Sequence, residues 1–198
     1  MRMIKTIIFD VGGVFVNGSF KNFIDKISEI TGCEIKDDDD FQKIFDNWMR
    51  GKLTFKQFIE KITGCSIEEK TIEKLFKIWV DNWEFDYEMI SFAKKFKGRY
   101  RLIILSNADA EAIKSRKIDL LDFFERKFHS FYLGMIKPER NIYEYVLKEI
   151  KSKPEECVFI DDKPENVQAA KELGIHGIIF EKKEKLERDL EKLGVFVR

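Results

Sequence analysis

A doubly wound α/β fold, a parallel sheet with a small helical bundle inserted after its first strand, is the class this sequence predicts. Three observations predict it. Short β-rich runs alternate with helical patterns through the second half of the chain, the arrangement of consecutive βαβ units. Two of those runs, Leu102-Ile103-Ile104-Leu105 and Val158-Phe159-Ile160, are apolar throughout, as strands are when helices cover both faces of a parallel sheet. Between about residues 17 and 86 the chain offers only helical patterns and no convincing strand.

Taken in order, Thr6-Ile7-Ile8-Phe9 is the first strand. The insertion follows, with helices expected over residues 20–30, 38–48, 54–62 and 67–83. It contains a weak internal repeat: Phe23-Ile24-Asp25-Lys26-Ile27 precedes Thr31-Gly32-Cys33, and Phe58-Ile59-Glu60-Lys61-Ile62 runs into Thr63-Gly64-Cys65. Each copy stops at a Gly, which takes up the left-handed conformation that closes a helix. The acids at 37–40 read as the start of a helix rather than a calcium loop, whose Gly and distal Glu are missing. Trp79, Trp83, Phe85 and Tyr87 read as packing. Strands at 102–105, 128–132, 158–160 and 177–180 then alternate with helices at 110–117, 141–150, 166–173 and 183–193. The expected division is a core of residues 1–16 and 87–198 carrying a helical insertion of residues 17–86.

Length and composition narrow the function classes. A chain of 198 residues is one domain, or one with an insertion, and buries a core without staples. Lys plus Arg and Asp plus Glu are 36 each, so the formal net charge is zero, which weighs against a basic nucleic-acid footprint. The 19 Phe and 3 Trp oppose disorder. No apolar run approaches the ~20 residues that span a bilayer. The first residues show no small-residue cleavage site, so a cytoplasmic protein is expected. Cys33, Cys65 and Cys157 are odd in number and far apart, with no CxxC pair, which predicts reduced buried thiols rather than a disulfide framework or a zinc site. His129 and His176 lack partner patterns and read as structural.

Chemistry collects where the strands end. The first runs into Asp10-Val11-Gly12-Gly13, the second ends at Ser106-Asn107, Gly134-Met135-Ile136-Lys137-Pro138 follows the third, and the fourth ends at Asp161-Asp162. Ligands of open parallel sheets bind outside the carboxyl ends of the strands. Any one of these segments has a structural explanation as a cap or turn; four in order, each beside its own strand, define a site. Adjacent carboxylates at 161 and 162 repel unless a cation sits between them. Such hard oxygens suit Mg²⁺, which takes one or two carboxylates plus phosphate. Asp10 is placed to touch the metal and to attack phosphorus. Lys137, Ser106 and backbone N–H groups would hold the phosphoryl oxygens.

These four segments resemble the four motifs of the haloacid dehalogenase-like hydrolase superfamily, and the resemblance covers nearly the whole chain. Phe9-Asp10-Val11-Gly12-Gly13-Val14 is similar to the first motif, Leu105-Ser106-Asn107 to the second, Lys137-Pro138-Glu139 to the third, and Ile160-Asp161-Asp162 with Asn166 to the fourth. The insertion resembles the family's C1-type cap. The resemblance implies a nucleophile at Asp10, phosphate binding by Ser106, Asn107 and Lys137, and a metal held by Asp10, the Gly12 carbonyl, Asp161 and Asp162. It implies a Mg²⁺-dependent phosphatase acting on a small phosphorylated metabolite such as a sugar phosphate. One departure stands out: most phosphatases of the superfamily carry a second Asp two residues after the nucleophile, where this chain has Gly12. Two alternatives follow, a 2-haloacid dehalogenase, which needs no metal, and a low-activity module that binds a phospho-ligand or a partner. Substrate choice is expected in the cap and in residues 13–20, with Trp48, Arg50 and Asn17 as first guesses.

Overall fold

The computed structural model describes residues 3–35, 39–115 and 121–197. β1 (Thr6–Phe9) leads into the short β2 (Val16–Asn17), and four helices follow: α1 (Phe20–Thr31), α2 (Asp39–Met49), α3 (Phe55–Thr63) and α4 (Glu69–Asp81). β3 (Glu84–Phe85) returns antiparallel to β2, closing the insertion where it began. The chain continues through α5 (Tyr87–Lys94), β4 (Arg101–Ser106), α6 (Ala110–Ser115), β5 (Arg126–His129), α7 (Ser130–Leu133) and α8 (Arg140–Ile150). It ends with β6 (Cys157–Asp161), α9 (Pro164–Glu172), β7 (His176–Ile179) and α10 (Lys183–Lys192).

Five parallel strands form one sheet in the order β5-β4-β1-β6-β7, with β1 at its centre. Successive strand residues face opposite sides, and both sides are covered. Ile7, Phe9, Leu102, Ile104, Val158 and Ile160 pack with Met89, Ile90 and Phe92 of α5 and with Leu186 and Leu190 of α10. Ile8, Ile103, Leu105 and Phe159 pack with α8 and with Ala170 of α9. This double cover is why the central strands are uninterrupted apolar runs. Helices α1–α4 enclose a separate aromatic core, in which Trp48 stacks on Phe58 at 4.1 Å between centroids and Trp79 packs on Phe23. α3 begins at a reciprocal capping box between Thr54 and Gln57.

Three expectations need correction or extension. The third strand ends at His129, not at 132, and Ser130–Leu133 turns into a short helix. Tertiary bonds draw Ser130 away from the ladder: its hydroxyl donates to the Met49 carbonyl at 2.6 Å and accepts from the Ala108 amide at 3.1 Å. α5 was not legible as a helix; it is 8 residues long, starts at an Asp86 side chain that accepts from the Met89 amide, and buries Met89, Ile90, Phe92 and Ala93. Cys33 and Cys65 form a disulfide, against the expectation of reduced thiols, while Cys157 is free and buried. The internal repeat is the physical reason. Thr31 and Thr63 each donate to the carbonyl four residues back, at 2.7 and 2.8 Å, and accept from the cysteine amide two residues on. Gly32 and Gly64 then turn the chain at φ +68° and +69°. Equivalent exits bring the two cysteines to a Cα separation of 6.8 Å. Asp37 and Asp38 lie outside the described residues.

Candidate active site

Asp10 directly follows β1, its amide bonded to the Ile160 carbonyl at 2.8 Å, so the central strand aims it out of the carboxyl edge of the sheet. Ser106 is the last residue of β4 on one side, and Asp161 the last of β6 on the other. The loop between α7 and α8 delivers Lys137, whose Nζ lies 2.8 Å from Asp10 Oδ1 and 2.6 Å from Asp161 Oδ2. Lys137 is 3% exposed and Asp161 0%. Burial alone would depress Lys137, but Asp10 and Asp161 outweigh it and raise its pKa. Burial raises Asp10 to about 6, opposed by Lys137 and reinforced by Asp161.

Asn107 acts on the backbone of Lys137. Its Nδ2 donates to the Lys137 carbonyl and its Oδ1 accepts from the Lys137 amide, both at 2.9 Å. The amide thereby fastens the Lys137 loop to the end of β4. The two neighbouring acids of the fourth segment differ sharply. Asp161 Oδ1 accepts from the Lys163 amide at 2.8 Å and Asn166 Nδ2 at 3.0 Å, and Oδ2 accepts from Lys137 and the same Asn166 nitrogen. Tyr143 donates to the Asn166 carbonyl at 2.9 Å and steadies that residue in turn. Asp162 Oδ1, by contrast, is buried with no hydrogen-bond partner, and burial, then the Asp161 charge, raises its pKa.

Ligand oxygens of Asp10, Asp161 and Asp162 all lie within 4.8 Å of one another. A buried carboxylate oxygen left without a donor costs free energy unless a cation meets it, so these residues fit a hard divalent ion such as Mg²⁺. The turn after Asp10 leaves room for that grouping. Gly13 has φ +71°, and a Cβ there would collide with the Asp162 carboxylate. Gly12 is different, since a Cβ on it would meet nothing within 4 Å.

Asp10, Lys137, Asp161 and Asp162 are thus brought together, with Ser106 on the adjacent strand and Asn107 engaged through the Lys137 backbone. Of the residues guessed for substrate choice, Trp48 is buried in the aromatic core of the helices and Asn17 is exposed on β2. Arg50 reaches across to the sheet side: its guanidinium grips Glu139 at 2.8 and 2.5 Å, two residues after Lys137. Sequence patterns did not signal the other contacts joining the helices to the sheet. Trp79 Nε1 donates to Asp109 Oδ2 at 3.0 Å, Glu111 accepts from the Phe55 amide at 2.7 Å, and Ile136 enters the aromatic core. Two hollows of about 570 and 490 Å³ on the helices, the first between α1 and α4, contain none of the site residues.

His129 ends β5, level with Ser106 in the ladder. Burial, and then Lys127, lowers its pKa to about 4, so its imidazole is neutral at physiological pH. No helix among the described residues is long and apolar enough to cross a membrane.

A family model described as haloacid dehalogenase-like hydrolase matches residues 4–174. The chain belongs to the haloacid dehalogenase-like hydrolase family and is an enzyme of the hydrolase class. It is similar to drimenol cyclase drtB of Aspergillus calidoustus, 27% identical over 96% of this chain, but spans only 37% of that protein. It is also similar to the D-ribitol-5-phosphate phosphatase of Bacteroides thetaiotaomicron, 26% identical over 87% of this chain and 89% of that protein. Among solved structures, the magnesium complex of the HAD family enzyme bt-2542 from Bacteroides thetaiotaomicron matches with a TM-score of 0.77 and 26% identity, covering 94% of this chain and 100% of that one.

Proposed function

We propose that the protein is a Mg²⁺-dependent phosphatase that hydrolyses a small phosphorylated metabolite, of sugar-phosphate size, through an aspartyl phosphate on Asp10. The observation that carries this reading is the buried Lys137 ammonium shared by Asp10 and Asp161, beside an Asp162 oxygen that no protein donor satisfies. A carboxylate nucleophile and a phosphate dianion repel each other, and a fixed cation between them lowers that barrier. Asp10 attacks phosphorus, while Lys137 and the Ser106 hydroxyl hold the phosphoryl oxygens. Asn107 holds Lys137 in place, and Asp161 keeps the ammonium oriented. Asp10, Asp162 and the Gly12 carbonyl would hold Mg²⁺, with Asp161 behind them; the ion would supply Lewis-acid neutralisation of the phosphoryl charge.

Residues 17–86 act as a cap on a core of residues 1–16 and 87–198, excluding water from the crevice. The named activity of the ribitol-phosphate phosphatase supports the choice of a small phosphate ester. Its substrate in this reading is a small molecule, with neither nucleic acid nor membrane as a partner. The test is phosphate release from sugar phosphates, nucleotides and p-nitrophenyl phosphate, with Mg²⁺ or EDTA, beside Asp10→Asn. Release that requires Mg²⁺ and disappears in the variant is expected. Metal-independent halide release from a 2-haloacid, with no phosphate release, would replace the reading with dehalogenation.

A further inference from the structure

α2 ends against the segments that hold Lys137, and the contacts concentrate in Met49-Arg50-Gly51. The Met49 carbonyl accepts the Ser130 hydroxyl at 2.6 Å, and that hydroxyl accepts the amide of Ala108, the residue after Asn107. Gly51, at φ +71°, lies so near the Phe131 backbone that a Cβ on it would sit 2.8 Å from the Phe131 carbonyl oxygen. Between these two contacts, the Arg50 guanidinium reaches both flanks of the lysine. Nη1 donates to the Gly134 carbonyl at 3.4 Å, and Nη1 and Nη2 donate to the two Glu139 carboxylate oxygens at 2.8 and 2.5 Å.

A guanidinium that meets a carboxylate through two parallel bonds fixes orientation as well as distance. The bond from Arg50 lowers the Glu139 pKa, and the bond to Glu139 raises that of Arg50, so the pair is ionised at neutral pH. A part-exposed pair of this kind adds little to stability; what it supplies is a fixed position. The Glu139 amide returns to the Ile136 carbonyl at 3.0 Å, and the Ile136 side chain is buried in the aromatic core of the insertion. From the sheet side, Asn107 binds the Lys137 amide and carbonyl. Lys137 therefore stands in a loop gripped by the sheet through Asn107 and by the insertion through Arg50. The same bonds occupy the end of the guanidinium with which Arg50 would otherwise grip a substrate.

We infer that Arg50 is a positioning residue for Lys137 and not a determinant of substrate choice. Through Glu139 and Gly134 it sets where the ammonium stands between Asp10 and Asp161. The kinetic consequence rests on the phosphatase reading. Lys137 would meet the phosphoryl group, which every ester shares, so loosening it slows all substrates alike. A residue that touched the rest of the substrate would change their ranking instead.

The experiment compares the Mg²⁺-loaded full chain with Arg50→Gln, Arg50→Lys, Glu139→Gln and the Arg50→Gln/Glu139→Gln double variant. Each is assayed well below its thermal midpoint on p-nitrophenyl phosphate, a sugar phosphate and a nucleotide. Arg50→Gln and Glu139→Gln should each lower kcat by about tenfold to a hundredfold, by the same factor on every ester, with KM near that of the native chain. The double variant should lose no more than either single one, because both break the same link. Arg50→Lys keeps the charge without the fork and should fall between. A rise in KM that differs between esters, with kcat kept, overturns the inference and makes Arg50 a substrate contact. A lower thermal midpoint with kcat kept overturns it too, leaving only a structural brace, and so do losses that multiply in the double variant. Hydrogen exchange at the Lys137 backbone amide, which Asn107 Oδ1 accepts, supplies a readout without turnover. It should quicken alike in Arg50→Gln and Glu139→Gln, and unchanged exchange overturns the inference even where no ester is cleaved. A native chain that releases phosphate from none of the esters overturns the phosphatase reading, and the exchange then decides the positioning role by itself.

Discussion

Asn107 is a side-chain amide spent on another residue's main chain, and its two 2.9 Å bonds set where the Lys137 ammonium lies relative to Asp10. Displacing a charge by about 1 Å at a reacting centre costs on the order of 10²-fold in rate. Asn107→Ala should therefore lower kcat by roughly that factor while Mg²⁺ affinity, measured by titration calorimetry, stays near that of the native chain. An equal loss of Mg²⁺ binding would mean that Asn107 shapes the whole site rather than the lysine. At this scale the sequence was partly legible. Asp10, Ser106 and Asp161 could be singled out because each ends or directly follows a strand, and Lys137 because it lies soon after one; strand ends converge in a parallel sheet. The inequality between Asp161 and Asp162 could not, because it depends on Asn166 and the Lys163 amide folding back from the start of α9. Nor could the partner of Arg50, since Glu139 is 89 residues away along the chain.

Helices α1 and α3 are two versions of one ending. A threonine hydroxyl, a left-handed glycine and a cysteine recur in the same geometry, and the disulfide joins the copies across 32 residues. The repeat was visible in the sequence; its consequence was not, because an odd cysteine count and wide spacing argue for free thiols when the three-dimensional equivalence of the two turns is unknown. Closing a loop of that length stabilises a fold by about 3–4 kcal/mol in the chain-entropy model. Cys33→Ser combined with Cys65→Ser should lower the thermal midpoint. Dithiothreitol should lower that of the native chain and leave the double variant unchanged. A native midpoint indifferent to the reductant would exclude a stabilising role for the bridge. The strand boundary at His129 has a similar origin: Phe131 and Tyr132 favour a strand by propensity, but the Ser130 bonds to Met49 and Ala108 redirect the chain.

Over the whole molecule, the sheet and the insertion meet around the candidate site residues. Glu139 takes the Arg50 guanidinium just after Lys137, Ile136 enters the aromatic core of the helices just before it, and Asp109 holds Trp79 just after Asn107. The segments that carry Asn107 and Lys137 are the ones that anchor the inserted helices, so a displacement of those helices would be felt at Lys137. The layered architecture was legible because buried parallel strands and amphipathic helices write different periods into the sequence. The contacts between layers were not, since they pair single polar residues with no periodic signal. The most direct test of the central claim is a crystal structure grown with Mg²⁺ and beryllofluoride, which mimics a phosphoryl group on a carboxylate. Beryllium should be bonded to an Asp10 oxygen with its fluorides on Lys137 and Ser106, and Mg²⁺ should contact Asp10, Asp162 and the Gly12 carbonyl. Beryllofluoride absent from Asp10 while Mg²⁺ is bound, or Mg²⁺ bound away from Asp162, would contradict the assignment of this crevice as a phosphoryl-transfer site.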